Sequence, residues 1–318
     1  MKKVKRFLKL FKIIDPKFTI GFFCLILIIA LIVYTRYFQI HGEQQIAPIL
    51  PVASVFEKLA LEAKAVYVYD VKENRALYSL NGDAQLPLAS LTKVMMAVTA
   101  LSLLPENAIV TIHSEFLNTE GDSGLLENER FSLKNLLDLT LLESSNDGAS
   151  AIASVAGAVK RHGVPDSLGT EEFIKAMNET AKKIGMTQAY FLNPTGLDQS
   201  PSVSGGYGSA KDMTTLFAYA VKTYPTLLDS TRKITQQISS LDSQMHDVHN
   251  TNVSVSKIPS LLASKTGFTD LAGGNLTIVF DAGIDHPIVV SVLGSTEEGR
   301  FLDVEKLVYA TLDYLNQN

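Results

Sequence analysis

The stretch PLASLTKVMMAVTALSLL, residues 87–104, most constrains how this chain can fold, because it places an amine at the head of an apolar run of helix length. Ser90 and Lys93 are three residues apart, so a helix would set them on one face. One interpretation is structural: Ser90 caps the helix and Lys93 is a solvated first-turn residue. The other is chemical: a lysine that burial or a second cation keeps neutral can accept a proton from the hydroxyl.

The bare pattern Ser-x-x-Lys decides nothing, since it occurs three times, at Ser90/Lys93, Ser230/Lys233 and Ser254/Lys257. Two further motifs select the first pair. Ser144-Ser145-Asn146 falls in ESSND, a polar break between two apolar segments, and Lys265-Thr266-Gly267 falls in a predicted strand. The two later Ser-x-x-Lys patterns follow this break and start no apolar helix, so we set them aside.

Charge is distributed very unevenly along the 318 residues. Residues 1–36 hold eight basic residues against Asp15 alone, and the remainder holds 20 basic and 32 acidic residues, a net charge of −12. An acidic body argues against nucleic-acid binding, which calls for a basic face. An apolar share of 46% is ample for a sizeable core.

Residues 18–35, FTIGFFCLILIIALIVYT, form an uncharged and mostly apolar run. As a helix it would be about 27 Å long, close to the thickness of a bilayer's hydrocarbon core. Seven basic residues precede it, which predicts a cytoplasmic segment at 1–17 and an extracytoplasmic location for everything after the run. We expect a single-pass signal anchor in the cell membrane rather than a cleaved signal peptide, because the run is long and VYTRYFQIHGEQ offers no small-x-small cleavage site. Cys24, the single cysteine, lies inside the run, so the exported body has no thiol for a disulfide or for catalysis.

A polar and then proline-marked segment, 36–54, predicts a linker, and residues 55–318 predict one catalytic domain. AVYVYDVKENRALYSLNGD predicts a hairpin, and LASKTGF, NLTIVFDAG and HPIVVSVLG predict three successive antiparallel strands near the other end. Apolar and amphipathic helices lie between them, and GRFLDVEKLVYATLDYL predicts a closing helix. We therefore expect an α+β fold, an antiparallel sheet formed from distant segments, flanked by helices, with an all-helical subdomain.

Ser-x-x-Lys, Ser-x-Asn and Lys-Thr-Gly in this order resemble the motifs of serine D,D-peptidases and β-lactamases. FIKAMNETAKKIGMTQAYFLNPTGLD and KTGFTDLAGGNL are similar to the low-molecular-mass penicillin-binding proteins, the D-alanyl-D-alanine carboxypeptidases. The similarity runs from about Val66 to the last helix. It implies the D,D-peptidase fold, and a Ser90 acyl-enzyme that releases terminal D-alanine from peptidoglycan stem peptides and is acylated by β-lactam antibiotics. It implies no metal and no organic cofactor.

If Ser90 forms the acyl-enzyme, we expect Lys93 to be the general base of acylation and Ser144 to relay protons to the departing amine. Asn146 holds Lys93 and the substrate backbone. Lys265 and Thr266, with Gly267 in the same strand, offer a positive charge and a hydroxyl to the substrate's terminal carboxylate.

The resemblance adds two further candidate residues. It makes the backbone amide of Phe268 the second oxyanion donor, beside the amide of Ser90 at its helix start. It also matches Arg300, early in the last helix, to a carboxylate-binding arginine, a task that suits the bidentate guanidinium. An ordinary surface cation is the competing interpretation of Arg300.

Several alternatives stay open. A D,D-endopeptidase that cuts crosslinks would use the same residues, and a wall-binding module without catalysis would not need them. A β-lactamase of the nearest kind uses a Glu-x-x-x-Asn pattern, and the glutamates near that position here, Glu171, Glu172 and Glu179, lack its spacing. His246 and His249 are spaced H-x-x-H without a third ligand, which disfavours zinc and indicates loop residues.

Overall fold

The structure is a computed structural model that describes residues 27, 29–30, 54–117, 120–121 and 123–317. The chain divides into two compact units, residues 1–48 and 49–318. In the first unit, Leu27, Ile29 and Ala30 are helical and exposed. The rest of the predicted transmembrane run lies outside the described residues, and none of the helices described has the length and hydropathy to cross a bilayer.

The second unit is built from helices and strands in the order that the sequence predicts, with several short strands besides. Its α-helices are α1 (Ser54–Glu57), α2 (Thr92–Leu103), α3 (Leu133–Glu143), α4 (Asn146–Lys160), α5 (Ser167–Lys183), α6 (Ala210–Thr223) and α7 (Gly299–Gln317). Its strands are β1 (Ala65–Asp70), β2 (Arg75–Leu80), β3 (Leu86–Pro87), β4 (Ile109–Thr111), β5 (Arg130–Ser132), β6 (Tyr190–Phe191), β7 (Gly206–Gly208), β8 (Thr235–Ser239), β9 (Met245–His249), β10 (Leu261–Thr269), β11 (Gly273–Asp281) and β12 (Pro287–Ser295).

The main sheet is antiparallel and joins both ends of this unit in the order β10-β11-β12-β1-β2. Strand alternation gives it two apolar faces. Ala65 and Tyr67 face the core that contains α2 to α6, whereas Val66 and Val68 face the core that contains α1 and α7. The predicted α+β class, with a sheet from distant segments and helices between them, is confirmed.

Strand β10 is an edge strand, because β11 is the only described strand that pairs with it. Alternate amides of an edge strand have no partner strand, and they are free to bind another chain. The Ser264 amide donates to the Thr231 hydroxyl, away from β11. By the two-residue alternation, the amides of Thr266 and Phe268 point to the same open edge.

The closing helix α7 is tied to the segment before β1 by one buried carboxylate. Asp303, fully buried, accepts hydrogen bonds from the amides of Glu62 and Ala63 and from the Ser295 hydroxyl. These contacts fix the first turn of α7 and therefore the position of Arg300 beside β10.

Two local expectations need correction. The break between the apolar helices is shorter than ESSND, since α4 already begins at Asn146; Ser145 caps it by accepting from the Gly148 amide at 2.9 Å. His246 and His249 belong to strand β9 rather than to a loop. The hairpin of β8 and β9 could not be predicted from apolar alternation, because each strand buries a single apolar residue, Ile238 in β8 and Val248 in β9.

Candidate active site

Ser90 lies in a 3₁₀ turn, Ala89–Leu91, that leads directly into α2. It is not a helix cap, since the caps of both elements are leucines without a side-chain hydrogen bond. Ala89 has a φ of +49°, a left-handed conformation that an alanine adopts only under strain. The structural interpretation of Ser90 is therefore wrong, and its half-buried hydroxyl is free for another task.

Lys93 is fully buried in the first turn of α2. Its Nζ atom lies 2.8 Å from Ser90 Oγ, 2.6 Å from Asn146 Oδ1 and 2.8 Å from the carbonyl oxygen of Thr195. All three partners are uncharged, and no carboxylate among the described residues forms an ion pair with this amine.

Burial lowers the pKa of Lys93 well below its usual value, and the nearby positive charge of Lys265 lowers it further. Both causes act in one direction because each destabilises the ammonium form. A neutral Lys93 has two N–H groups and one lone pair. Since the Asn146 and Thr195 oxygens can only accept, they take the two N–H groups, and the lone pair faces the Ser90 hydroxyl.

Thr195 contacts Lys93 through its backbone carbonyl, so its own side chain gives no signal in the sequence. A turn organised by Asn193 presents that carbonyl. Asn193 Oδ1 accepts from the amides of Thr195 and Gly196, and its Nδ2 donates to the Leu197 carbonyl at 2.9 Å. Gly196 has a φ of +82°, and a Cβ there would overlap the carbonyl of Ala89. The stretch Asn193 to Leu197 carries the family resemblance, and that was the one available signal.

The second motif lies where α3 ends and α4 begins. Ser144 ends α3 in a left-handed conformation with a φ of +69°. Asn146 starts α4, and its Nδ2 donates to the Glu120 carbonyl at 2.5 Å, which fixes its Oδ1 towards Lys93. Among the described residues, no hydrogen bond joins the Ser144 hydroxyl to Ser90, Lys93 or any other group.

The third motif, Lys265-Thr266-Gly267, lies in β10, beside the 3₁₀ turn that contains Ser90. Lys265 is buried in β10, and burial lowers its pKa to about 7, with Arg300 as a secondary cause. The Thr266 hydroxyl lies 2.6 Å from that of Thr251. Gly267 permits the close approach of β10 to the 3₁₀ turn, because a Cβ there would lie 2.8 Å from the Leu88 carbonyl oxygen. The three sequence motifs thus meet around Ser90.

Arg300 is not a surface cation, since only 7% of it is exposed. Its Nη1 donates to the Gly267 carbonyl at 2.9 Å, and its guanidinium lies 6.0 Å from the ring of Phe268. The Phe268 side chain is 44% exposed, while its amide points to the open edge of β10.

The other Ser-x-x-Lys patterns form no such pair. The Lys233 amine donates to Gln236, and the Ser254 hydroxyl and the Lys257 amine both bind Glu305. His246 binds Glu129, and among the described residues no group of three or more potential ligands could hold a metal ion.

Comparison with known proteins identifies the family. The model of the D-alanyl-D-alanine carboxypeptidase family matches residues 52–296. A D-alanyl-D-alanine carboxypeptidase of Bacillus subtilis is 28% identical over 257 residues, which are 79% of this chain and 62% of the relative. A D-alanyl-D-alanine endopeptidase of Escherichia coli is 30% identical over 265 residues, 81% of this chain and 77% of the relative. The chain thus spans less than two thirds of the Bacillus relative.

Solved structures give the same result. Penicillin-binding protein D2 of Listeria monocytogenes, in its ampicillin-bound form, is 28% identical with a TM-score of 0.67, over 80% of this chain and 98% of that one. The Streptomyces K15 DD-transpeptidase, 22% identical with a TM-score of 0.70 over 80% of this chain and 99% of that one, shares the fold. The family predicted from the three motifs is confirmed: this chain belongs to the D-alanyl-D-alanine carboxypeptidase family of serine peptidases.

Proposed function

We propose that this protein is a serine D-alanyl-D-alanine carboxypeptidase that removes terminal D-alanine from peptidoglycan stem peptides. The observation that carries the proposal is the 2.8 Å contact between the Ser90 hydroxyl and the buried Lys93 amine, whose pKa is strongly lowered. An amine that is neutral at working pH can act as a base, and an adjacent hydroxyl can then act as a nucleophile.

Acylation begins when the Ser90 oxygen attacks the carbonyl carbon of the D-alanyl-D-alanine bond and gives its proton to Lys93. The oxyanion then lies between the amides of Ser90 and Phe268. The close packing at Gly267 supports this arrangement, because it brings β10 beside the Ser90 nitrogen. Loss of one such donor typically lowers the rate about 100- to 1,000-fold.

The edge of β10 and the groups around it recognise the substrate. Lys265, Thr266 and Arg300 supply two cations and a hydroxyl for the terminal carboxylate, and Asn146 holds the substrate backbone. Ser144 returns the proton to the leaving amine of D-alanine. Its hydroxyl lies in the connection directly before Asn146, and it is not committed to another hydrogen bond among the described groups. Water then hydrolyses the ester and frees Ser90.

An endopeptidase acting on crosslinks is the second candidate, because the Escherichia coli relative that is 30% identical bears that name. A β-lactamase is disfavoured, because the sequence lacks a Glu-x-x-x-Asn pattern. The reading as a wall-binding module without catalysis is disfavoured, since burying Lys93 and Lys265 together is costly without a chemical task.

Ser90 is the residue that a β-lactam should modify. We expect a fluorescent penicillin to label the intact protein, mass spectrometry to place the adduct on the peptide that contains Ser90, and Ser90→Ala to abolish labelling. Ser102→Ala, at an exposed position of the same helix, is the matched control and should label normally. Unlabelled wild-type protein, or a labelled Ser90→Ala variant, would show that the assignment is wrong.

The lowered pKa of Lys265 predicts an alkaline limit to activity. Lys265 is charged below its pKa of about 7 and neutral above it, so attraction of the terminal carboxylate weakens as pH rises through this value. We expect kcat/KM for a D-alanyl-D-alanine peptide to decline above about pH 7, since this parameter reports the free enzyme. A substrate without the terminal carboxylate is the control and should lack this decline; an identical decline for both would contradict the role of Lys265.

We also propose that residues 18–35 anchor the protein in the cell membrane, with the catalytic domain outside. The 18 uncharged residues and the seven basic residues before them support this, as does the exposure of the helical Leu27 and Ile29. The full chain should remain in the membrane pellet after extraction at alkaline pH. Protease added to intact spheroplasts should digest the catalytic domain. Extraction into the supernatant, or protection from the protease, would refute the anchor or its orientation.

A further inference from the structure

Two tyrosines form a stacked pair on the small sheet β3-β7-β6. Tyr190 of β6 lies opposite Tyr207 of β7 in the strand register, and their ring centroids are 4.9 Å apart with an interplanar angle of 20°. Tyr190 is 40% exposed, whereas its neighbour Phe191 is buried. Because Tyr207 covers one face of the Tyr190 ring, the exposure of Tyr190 falls on the other face and the edge of the ring.

The short strands of this sheet have an inner side and an outer side. A Cβ at Gly206 would lie 2.7 Å from Thr92 Oγ1, so the inner side of β7 packs against the first turn of α2. Tyr207 is the next residue of the strand and points to the opposite side. The tyrosine rings therefore lie on the side of the sheet that faces away from the catalytic helix.

The proposed binding of the substrate along β10 determines where the rest of a stem peptide leaves the cleft. Its terminal carboxylate lies at Thr266 and its reacting carbonyl at the Phe268 amide, so the preceding residues run towards Thr269. The Thr269 hydroxyl donates to Asp198 Oδ1 at 3.0 Å, which joins this end of β10 to a loop, residues 198–203. A stem peptide therefore passes this loop as it leaves the active site.

The loop of residues 198–203 also adjoins the stacked tyrosines. The Gln199 side chain donates to the Leu192 carbonyl, directly after β6, at 3.2 Å. Directly after the loop, the Ser204 amide donates to the Tyr207 hydroxyl at 2.9 Å. The end of β10, the loop and the tyrosine pair thus follow one another along one side of the catalytic domain.

The composition of this surface indicates a neutral ligand that bears hydroxyl groups. Residues 187–207 contain one charged side chain, Asp198, and it is already bound to Thr269. The exposed side chains of the loop are amide, hydroxyl and small apolar groups, such as those of Gln199, Ser202 and Val203. The face of a tyrosine ring is negative, so it attracts the weakly positive C–H groups on the flat face of a sugar. An N-acetylated sugar offers such C–H groups together with hydroxyl and amide groups for the loop.

We propose, resting on the proposed function, that Tyr190 and Tyr207, together with the loop of residues 198–203, bind the glycan strand that carries the stem peptide. One N-acetylated sugar stacks on the uncovered face of Tyr190, and its hydroxyl and acetamido groups bind the loop. Four residues separate the scissile bond of a stem pentapeptide from its sugar, a span of about 13 Å when extended, which carries the sugar well past Thr269. The enzyme then holds its substrate at both ends, and the second contact raises the affinity for peptide that is attached to glycan.

Two substrates test the proposal: a free stem pentapeptide, and the same pentapeptide attached to its N-acetylated disaccharide. We expect the disaccharide form to have the higher kcat/KM, and Tyr190→Ala to lower this advantage about three- to tenfold, the size of one aromatic contact. Tyr190→Phe keeps the ring and should keep the advantage. Tyr309→Ala, at a 54% exposed position of α7, is the matched control and should leave the ratio of the two rates unchanged. Damage to the fold would lower both rates and not their ratio.

Binding of glycan can also be measured without catalysis. A chitin tetramer, which contains N-acetylated sugars and no peptide, should bind the full-length Ser90→Ala protein in an NMR titration, and Tyr190→Ala in the same background should weaken binding about three- to tenfold. Equal kcat/KM for the two substrates in the wild type, or a tetramer that binds neither protein or both equally, would overturn the glycan site. If the tetramer binds but penicillin labelling and pentapeptide hydrolysis are both absent, the glycan site stands and the proposed function fails.

Discussion

Burial of the Lys93 amine is the constraint on which the rest of this site depends. An ammonium group without a carboxylate partner is unstable in a protein interior, so the surroundings favour the neutral amine. The Asn146 and Thr195 oxygens then fix its two N–H groups and direct its lone pair to Ser90. Packing of the helix thus produces the base.

The fold meets this requirement by bringing together segments far apart in sequence. Helix α2 supplies Lys93, the start of α4 supplies Asn146, the turn at Asn193 supplies the Thr195 carbonyl, and β10 supplies Lys265. The Lys265 charge lowers the pKa of Lys93, although no hydrogen bond joins the two amines among the described residues. The position of β10 at the edge of the sheet therefore determines both the packing around Lys93 and the electrostatic effect of Lys265 on its pKa.

Much of this architecture could be predicted from the sequence. The hairpin of β1 and β2 and the strands β10 to β12 have clear alternation and turn residues, and the motif order selected Ser90 among three serines. Two backbone features could not be predicted, the left-handed conformation of Ala89 and the contact of the Thr195 carbonyl with Lys93, because neither is marked by the residue's own side chain. A pocket beside Arg300, between the loop after β9 and the first turns of α7, could not be predicted either, because its walls come from two segments about 45 residues apart in the sequence.

The charge of Lys93 can be measured directly by NMR of protein labelled with ¹⁵N at the lysine side chains, with the resonance assigned by comparison with a Lys93→Met variant. The account predicts that Lys93 Nζ has the chemical shift of a neutral amine at pH 7 and moves to the ammonium value only on acidification. An ammonium shift that persists at pH 7 and through the alkaline range would contradict it, because Ser90 would then have no base.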